Sequence, residues 1–245
     1  MPGASRIAAP SLMPRSPLHT AAASLRRAKQ VRDPRGIVSR HAGLVYFPVP
    51  KAATTMIKAM IASWEGLPTG DGIHRVRFDA VRASRVRDVP DALAFTVVRN
   101  PWDRLRSAYL DKVVGNATRW GEVHDGLLRY NTLSRRKLFW GEMTFEQFVR
   151  TVTRIPDSLA DEHLRAQVRL LAPWGKPPVV DRWIDLARMS EELPALLASR
   201  GIEVGDLVRR NERSSGDYRE AYSAEMREQT GHRYRRDVDY FGFAF

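Results

Sequence analysis

Leu44-Val45-Tyr46-Phe47-Pro48-Val49-Pro50-Lys51-Ala52-Ala53-Thr54-Thr55 decides how the rest of the chain is read. Four apolar residues with aromatic and β-branched members suit a central strand, and two prolines stop it. After Thr55 the period changes: Met56, Ile57, Met60, Ile61 and Trp64 fall on one helical face. Thr54 or Thr55 can cap that helix. A strand, a short loop and a helix start aim free backbone N–H groups and the positive end of the helix dipole at one point. Ala52 and Ala53 are small enough to let an anion reach the backbone, and Lys51 adds a full charge. The stretch is expected to hold a phosphate or a sulfate. It is not a nucleotide loop of the form G-x-x-x-x-G-K-[ST]: no glycine lies between Gly43 and Gly66, and Lys51 precedes Thr54 by three residues.

A second strand, 93–98, leads into Arg99-Asn100-Pro101-Trp102-Asp103-Arg104-Leu105-Arg106-Ser107-Ala108-Tyr109. Asn100 suits an N-cap, Pro101 the first helical position, and Asp103 the positive end of the dipole. Arg99 stands at the carboxyl end of the strand, where open α/β sheets bind ligands. Ser107 lies two turns into the helix and can face the same crevice. An arginine fork with a hydroxyl suits a second phosphate. A phosphate-loop NTPase usually has a magnesium-binding acid at the end of such a strand. Arg99 in that place points to a transfer reaction without a metal.

These two motifs resemble the carbohydrate sulfotransferases that use 3′-phosphoadenosine 5′-phosphosulfate (PAPS), in particular the Golgi chondroitin 4-O-type, family 2 group. Pro50, Lys51, Thr54 and Thr55 match that family's P-K-x-x-[ST]-[ST] loop. Arg99, Asn100, Pro101, Arg104, Leu105, Ser107, Ala108 and Tyr109 match its R-[DN]-P-x-x-R-L-x-S-A-[YF] segment. The tail Tyr234-Arg235-Arg236-Asp237-Val238-Asp239-Tyr240-Phe241-Gly242-Phe243 is similar to its closing Y-x-x-D-x-x-x-F-G-[YF]. The resemblance runs from about residue 44 to the C-terminus.

The resemblance implies an α/β, three-layer P-loop-NTPase-like fold with a central parallel sheet flanked by helices. It implies PAPS as co-substrate, with Pro50, Lys51, Ala52, Ala53, Thr54 and Thr55 around the 5′-phosphosulfate and Arg99 and Ser107 at the 3′-phosphate. The product is then 3′-phosphoadenosine 5′-phosphate (PAP), and the acceptor is a hydroxyl of a carbohydrate or glycoconjugate. In-line sulfuryl transfer needs a cation on the leaving oxygen and a base for the acceptor's proton. Lys51 is the natural cation. Of six histidines, two are placed to be the base. His163, in Asp161-Glu162-His163-Leu164, is similar to an E-H-W segment of the family and is favoured; His74, ahead of the second strand, is the rival. Glu162 and Asp161 are further alternatives. Arg104 and Arg106 can face solvent, nucleotide or acceptor, whereas Trp102 and Tyr109 are expected in the core.

With 245 residues the chain has room for one α/β domain and a tail. Residues 1–40 read as a basic arm rich in Ala, Ser, Pro and Arg, with a short helix at 21–30, and 41–245 as one domain. The net charge of +12 admits a polyanion-binding protein that is not an enzyme. Yet 34 of the 40 basic residues are arginine, a bias that base composition alone produces, and no nucleic-acid motif is visible. No nucleic-acid partner is expected, and a nucleotide kinase or NTPase is the other alternative. No cysteine and no apolar run of about 18 residues point to a soluble, cytoplasmic, bacterial-type member rather than an anchored, disulfide-bonded one.

The remaining elements follow from local signals. Residues 73–78 are a strand or extended loop, 81–86 a helical turn, and 115–134 a polar lid or acceptor loop. Thr144-Phe145-Glu146-Gln147 is a capping box for a helix stopped by Pro156. Residues 161–171 form the next helix, placing Gln167 one turn beyond His163 on the same face. The last strand falls within 179–186, and Ser190 caps a helix that ends at Gly201. A polar loop at 211–215 precedes Tyr218, Tyr222 and Met226 at helical spacing. The loops 115–134 and 173–178 are where an acceptor pocket is expected.

Overall fold

The computed structural model describes residues 33–202 and 216–245. The two densest apolar runs lie side by side in its sheet. Leu44–Tyr46 (β2) and Leu93–Val98 (β4) pair in parallel, with Tyr46 opposite Phe95. Arg182–Asp185 (β5) adds a third parallel strand beyond β4. Two strands lie on the other side. Arg35–Ser39 (β1) runs antiparallel to β2, and Ala80–Arg82 (β3) antiparallel to β1. The order is β3-β1-β2-β4-β5, so the sheet is mixed, parallel only through β2, β4 and β5.

β1 corrects the expectation of an arm as far as residue 40: from Arg35 the chain is already in the sheet. Its five residues carry only Ile37 and Val38 as apolar side chains, too few to stand out in a basic stretch. Gly36 is required by packing, because a Cβ there would sit 2.5 Å from Val45 Cγ1. The helix expected at 21–30 and the polar loop at 211–215 lie outside the described residues.

Helices flank the sheet. Thr54–Trp64 (α1) follows β2 and buries Ile57, Met60 and Ile61, as its apolar spacing predicts. Pro101–Tyr109 (α2) follows β4, with Asn100 accepting from the Trp102 N–H as N-cap. The stretch expected as a polar lid is instead helical. A π-helical turn at Leu110–Gly115 extends α2, and Asn116–Trp120 (α3) and Asp125–Ser134 (α4) follow. Buried Val113, Val123, Leu127 and Tyr130 hold it down. Phe145–Thr153 (α5) has the expected capping box: Thr144 Oγ1 accepts from Gln147 N–H, and Gln147 Oε1 from Thr144 N–H. Thr144→Ala is expected to cost about 1 kcal/mol of stability, read as a lower urea midpoint.

The helix expected over 161–171 begins only at Gln167, as Gln167–Leu171 (α6). Ahead of it, side-chain carboxylates take the N–H groups a helix would use: Asp161 accepts from His163 N–H (3.1 Å) and Asp157 from Ala166 N–H (2.9 Å). His163 and Gln167 are therefore not on one helical face. Met189–Ala198 (α7) starts one residue before Ser190, which is not its cap; Ala224–Arg233 (α8) and Arg235–Phe241 (α9) close the chain. Residues 73–78 form no strand but a 3-10 turn and a loop; of the helical turn expected over 81–86, residues 81 and 82 belong instead to β3, and the turn runs over Ala83–Asp88.

Among the described residues, two buried clusters result. One gathers β-strand residues with α1 and α7. The other is built by helices and their connections alone, from Leu105 and Ala108 of α2 to Phe148 of α5 and Met226 of α8. The start of α2 thus stands where the carboxyl ends of β2 and β4 meet the helical cluster. Trp102 and Tyr109 pack there as predicted, Trp102 buried and donating to Arg227 O (2.9 Å), Tyr109 half-buried and donating to Met143 O (2.8 Å). Among the described residues no helix is long and apolar enough to cross a membrane.

Candidate functional site

The loop after β2 has an unusual backbone. Lys51 (φ 71°) and Ala53 (φ 54°) both lie in the left-handed region, though neither is glycine. Each such residue costs on the order of 1 kcal/mol and persists only where surroundings impose it. The impositions are visible. Ala52 N–H and Thr54 Oγ1 both donate to Val49 O, at 3.1 and 2.7 Å. Arg104 Nε donates to Pro50 O (2.9 Å) and Arg99 Nη1 to Lys51 O (3.2 Å).

Neither threonine caps α1. Thr54 is turned back to Val49, and Thr55 Oγ1 lies 3.1 Å from His74 Nε2. The N-cap is Ala53, which has no side chain to offer, and the first helical bond runs from Ile57 N–H to Ala53 O. Among the described residues the N–H groups of Ala53, Thr54, Thr55 and Met56 meet no acceptor. Asn100, Thr144 and Ser223 cap α2, α5 and α8. The helix behind Lys51 is open where those three are closed.

Arg99 stands at the end of β4 as predicted, and its side chain forks onto Asp103 at 2.7 and 2.8 Å. Asp103, read from the sequence only as a dipole partner, is thus its internal counter-ion. Ser107, half-buried, lies one turn further along α2 on the same line. The main chain of Arg99 is held by fully buried Gln167, which accepts from its N–H (2.9 Å) and donates to its carbonyl (2.8 Å). Gln167 and Val168 N–H groups in turn donate to Asp237 of the closing motif (2.8 and 2.9 Å). Burial pushes the Asp237 carboxyl up to about 6, against those hydrogen bonds.

Lys51 Nζ lies 2.9 Å from Asp111 in the π-helical turn, and Lys112 Nζ 3.3 Å from the same carboxylate oxygen. Burial lowers the proton affinity of Lys51, and Asp111 opposes the shift. Burial works against ionisation of Asp111, but the two lysines outweigh it and its pKa is lowered.

The two candidate bases share one neighbourhood. His163 Nδ1 is 2.6 Å from Asp161 Oδ1. His74, exposed in the turn Ile73–Arg75, has its proton affinity lowered first by burial and then by the charges of Lys58, Lys112 and His163. A third histidine joins them: the His124 ring is 5.5 Å from that of His163, edge to face. Its pKa is lowered by burial, Lys112 and His163. His124, Lys58 and Lys112 were not singled out from the sequence. His124 is the N-cap of α4, accepting from Gly126 N–H, a role that histidine seldom signals in a sequence. Glu162 is exposed, and Arg106 reaches out to Gly216 O (3.0 Å). Arg104 faces none of the three surroundings considered for it. It is 2 % exposed and donates to Pro50, Glu162 and Arg165 carbonyls. Among the described residues no three His, Asp or Glu side chains are grouped to hold a metal ion.

Compared with known proteins, residues 34–244 match the model of a family described as the sulfotransferase family. No curated protein and no solved structure matches the chain.

Proposed function

The chain belongs to the sulfotransferase family, and from that premise we propose that it moves a sulfuryl group from PAPS to a hydroxyl of a carbohydrate or glycoconjugate, on a P-loop-like α/β scaffold. The observation that carries the reading is the uncapped start of α1 beside Lys51, with Arg99 bonded to the same loop. Strained backbone, free N–H groups and two cations meet at the carboxyl ends of adjacent parallel strands. That arrangement suits a ligand with two separated phosphate groups.

In this reading the Pro50–Thr55 stretch surrounds the 5′-phosphosulfate, with the N–H groups of Ala53, Thr54 and Thr55 as donors and Lys51 on the leaving oxygen. Arg99 and Ser107 hold the 3′-phosphate, Arg99 by exchanging Asp103 for it. The base is a histidine of the cluster at His163 and His74.

Calorimetric titration with PAP in the absence of magnesium tests the donor site without an acceptor. Wild type is expected to bind in the micromolar range, and Arg99→Ala at least about tenfold more weakly, or about 1.4 kcal/mol. Binding of magnesium-ATP in place of PAP would move the chain to nucleotide kinase chemistry. Binding to heparin that survives Lys51→Ala, with no PAP binding, would leave only the polyanion reading.

A further inference from the structure

Asp161 is 7 % exposed, in the turn ahead of α6. Its Oδ1 accepts from His163 twice, from the backbone N–H at 3.1 Å and from ring Nδ1 at 2.6 Å. We propose that Asp161 is a positioning residue that fixes His163, rather than His74, as the base for the acceptor hydroxyl, an inference that rests on the sulfuryl-transfer reading above.

An ionised carboxylate can only accept, so the proton of neutral His163 sits on Nδ1 and the lone pair on Nε2. Burial opposes the Asp161 charge, but the hydrogen bonds from His163, with the charge of Arg129, hold its carboxyl well below the usual carboxylate range. Helix α4 backs the pair. Arg129 is 3.7 Å from Asp161 Oδ2, and the Tyr130 hydroxyl accepts from Asp161 N–H while donating to Leu159 O. Gly126 leaves room for the carboxylate: a Cβ there would stand 2.7 Å from Asp161 Oδ2.

The other rings are occupied differently. His124 Nδ1 accepts from Gly126 N–H (3.1 Å), so its proton lies on Nε2. His74 Nε2 is engaged with Thr55, on the donor-loop side. The charged side chains acting on the His74 and His124 rings are Lys58, Lys112, Asp125 and Asp161, and Arg129 acts on Asp161. In the transfer step, His163 Nε2 takes the acceptor's hydroxyl proton as the acceptor oxygen bonds to sulfur. The bond from sulfur to the 5′-phosphate oxygen breaks, and its electron pair stays on that oxygen, beside Lys51. The imidazolium that forms faces the Asp161 carboxylate.

The test uses the full chain, PAPS turnover with water as acceptor, PAP titration, and ¹⁵N NMR of the histidine rings. Wild-type His163 is expected to carry its proton on Nδ1. Asp161→Asn is expected to weaken that preference and slow turnover about ten- to a hundredfold, with PAP affinity within about twofold of wild type. Gly126→Ala crowds the carboxylate without removing it, since a Cβ there meets Asp161 Oδ2 at 2.7 Å and His124 Nδ1 at 3.1 Å; with the urea midpoints of both variants as the check on folding, it is expected to slow turnover in the same direction. His163→Ala is expected to lose more than His74→Ala. A proton on Nε2 of wild-type His163, or undiminished turnover in both Asp161→Asn and Gly126→Ala, or a larger loss in His74→Ala, overturns the assignment. Absence of PAP binding by wild type overturns the donor reading itself, and the assignment with it.

Discussion

Lys51→Ala is expected to slow sulfuryl release from PAPS about a hundred- to a thousandfold, the loss typical of removing one preorganised group that stabilises developing charge. PAP affinity is expected to fall much less. The difference follows from where the charge appears. On the proposed binding mode, the 5′-phosphate of the ground state is already met by the free N–H groups at the start of α1. Only when the sulfur–oxygen bond breaks does the bridging oxygen acquire charge, and Lys51 is the loop's one cationic side chain. Its backbone at φ 71° aims it and Asp111 holds it. Lys51→Arg keeps the charge but spreads it over a planar fork on a longer stem, so it is expected to restore binding more than rate. A loss below about tenfold for Lys51→Ala, less than half the free energy of an ordinary oxyanion contact, would make Lys51 a solvated loop residue.

Arg104→Met is expected to destabilise the fold by about 3 kcal/mol or more, because each buried acceptor left unpaired costs about 1–3 kcal/mol. The guanidinium donates to Pro50 O at 2.9 Å, Arg165 O at 2.7 Å and Glu162 O at 2.9 Å. Burial weakens its hold on the proton, countered by the nearby Tyr234, Asp237 and Asp157. Methionine fills much of the volume and supplies none of the three donors. The same side chain ties the Lys51 loop to the turn carrying His163, so PAP binding is expected to weaken in the molecules that remain folded. A fall in the urea midpoint at unchanged slope measures the first effect, and titration with PAP at low temperature the second. A change below about 1 kcal/mol, within the span of an ordinary single hydrogen bond, would show that water replaces the guanidinium.

Local signals carried the parts of the fold that are locally determined. The Leu44–Tyr46 strand and its helix were legible because an apolar run, two prolines and a change of period fall together. Asn100-Pro101 and the Thr144 box were legible because capping chemistry is written in adjacent residues. β1 was not, since its membership depends on partners 44–46 and 80–82, and its own composition resembles the arm before it. The 161–171 helix was misread for a related reason: its apolar spacing is helical, but Asp157 and Asp161 compete for its backbone donors. At the candidate site, motifs singled out Lys51, Arg99, Ser107, His163 and His74. Their counter-ions Asp103 and Asp111, the third ring His124 and the burial of Arg104 emerge only when separate segments are brought together.

Both cations of the proposed donor site are already satisfied by acids of α2 and its extension, Arg99 by Asp103 and Lys51 by Asp111. In a chain of net charge +12 this has a consequence for selectivity. A pair of bare cations beside an open helix start would collect chloride, free phosphate or any passing polyanion. Here a visiting anion must outcompete a carboxylate tethered a few ångströms away, and a single weak charge does not. On the PAPS reading, a ligand that presents two phosphates at the right separation displaces both tethered acids. On the donor-site reading, the two tethered acids select a paired phosphate over single common anions.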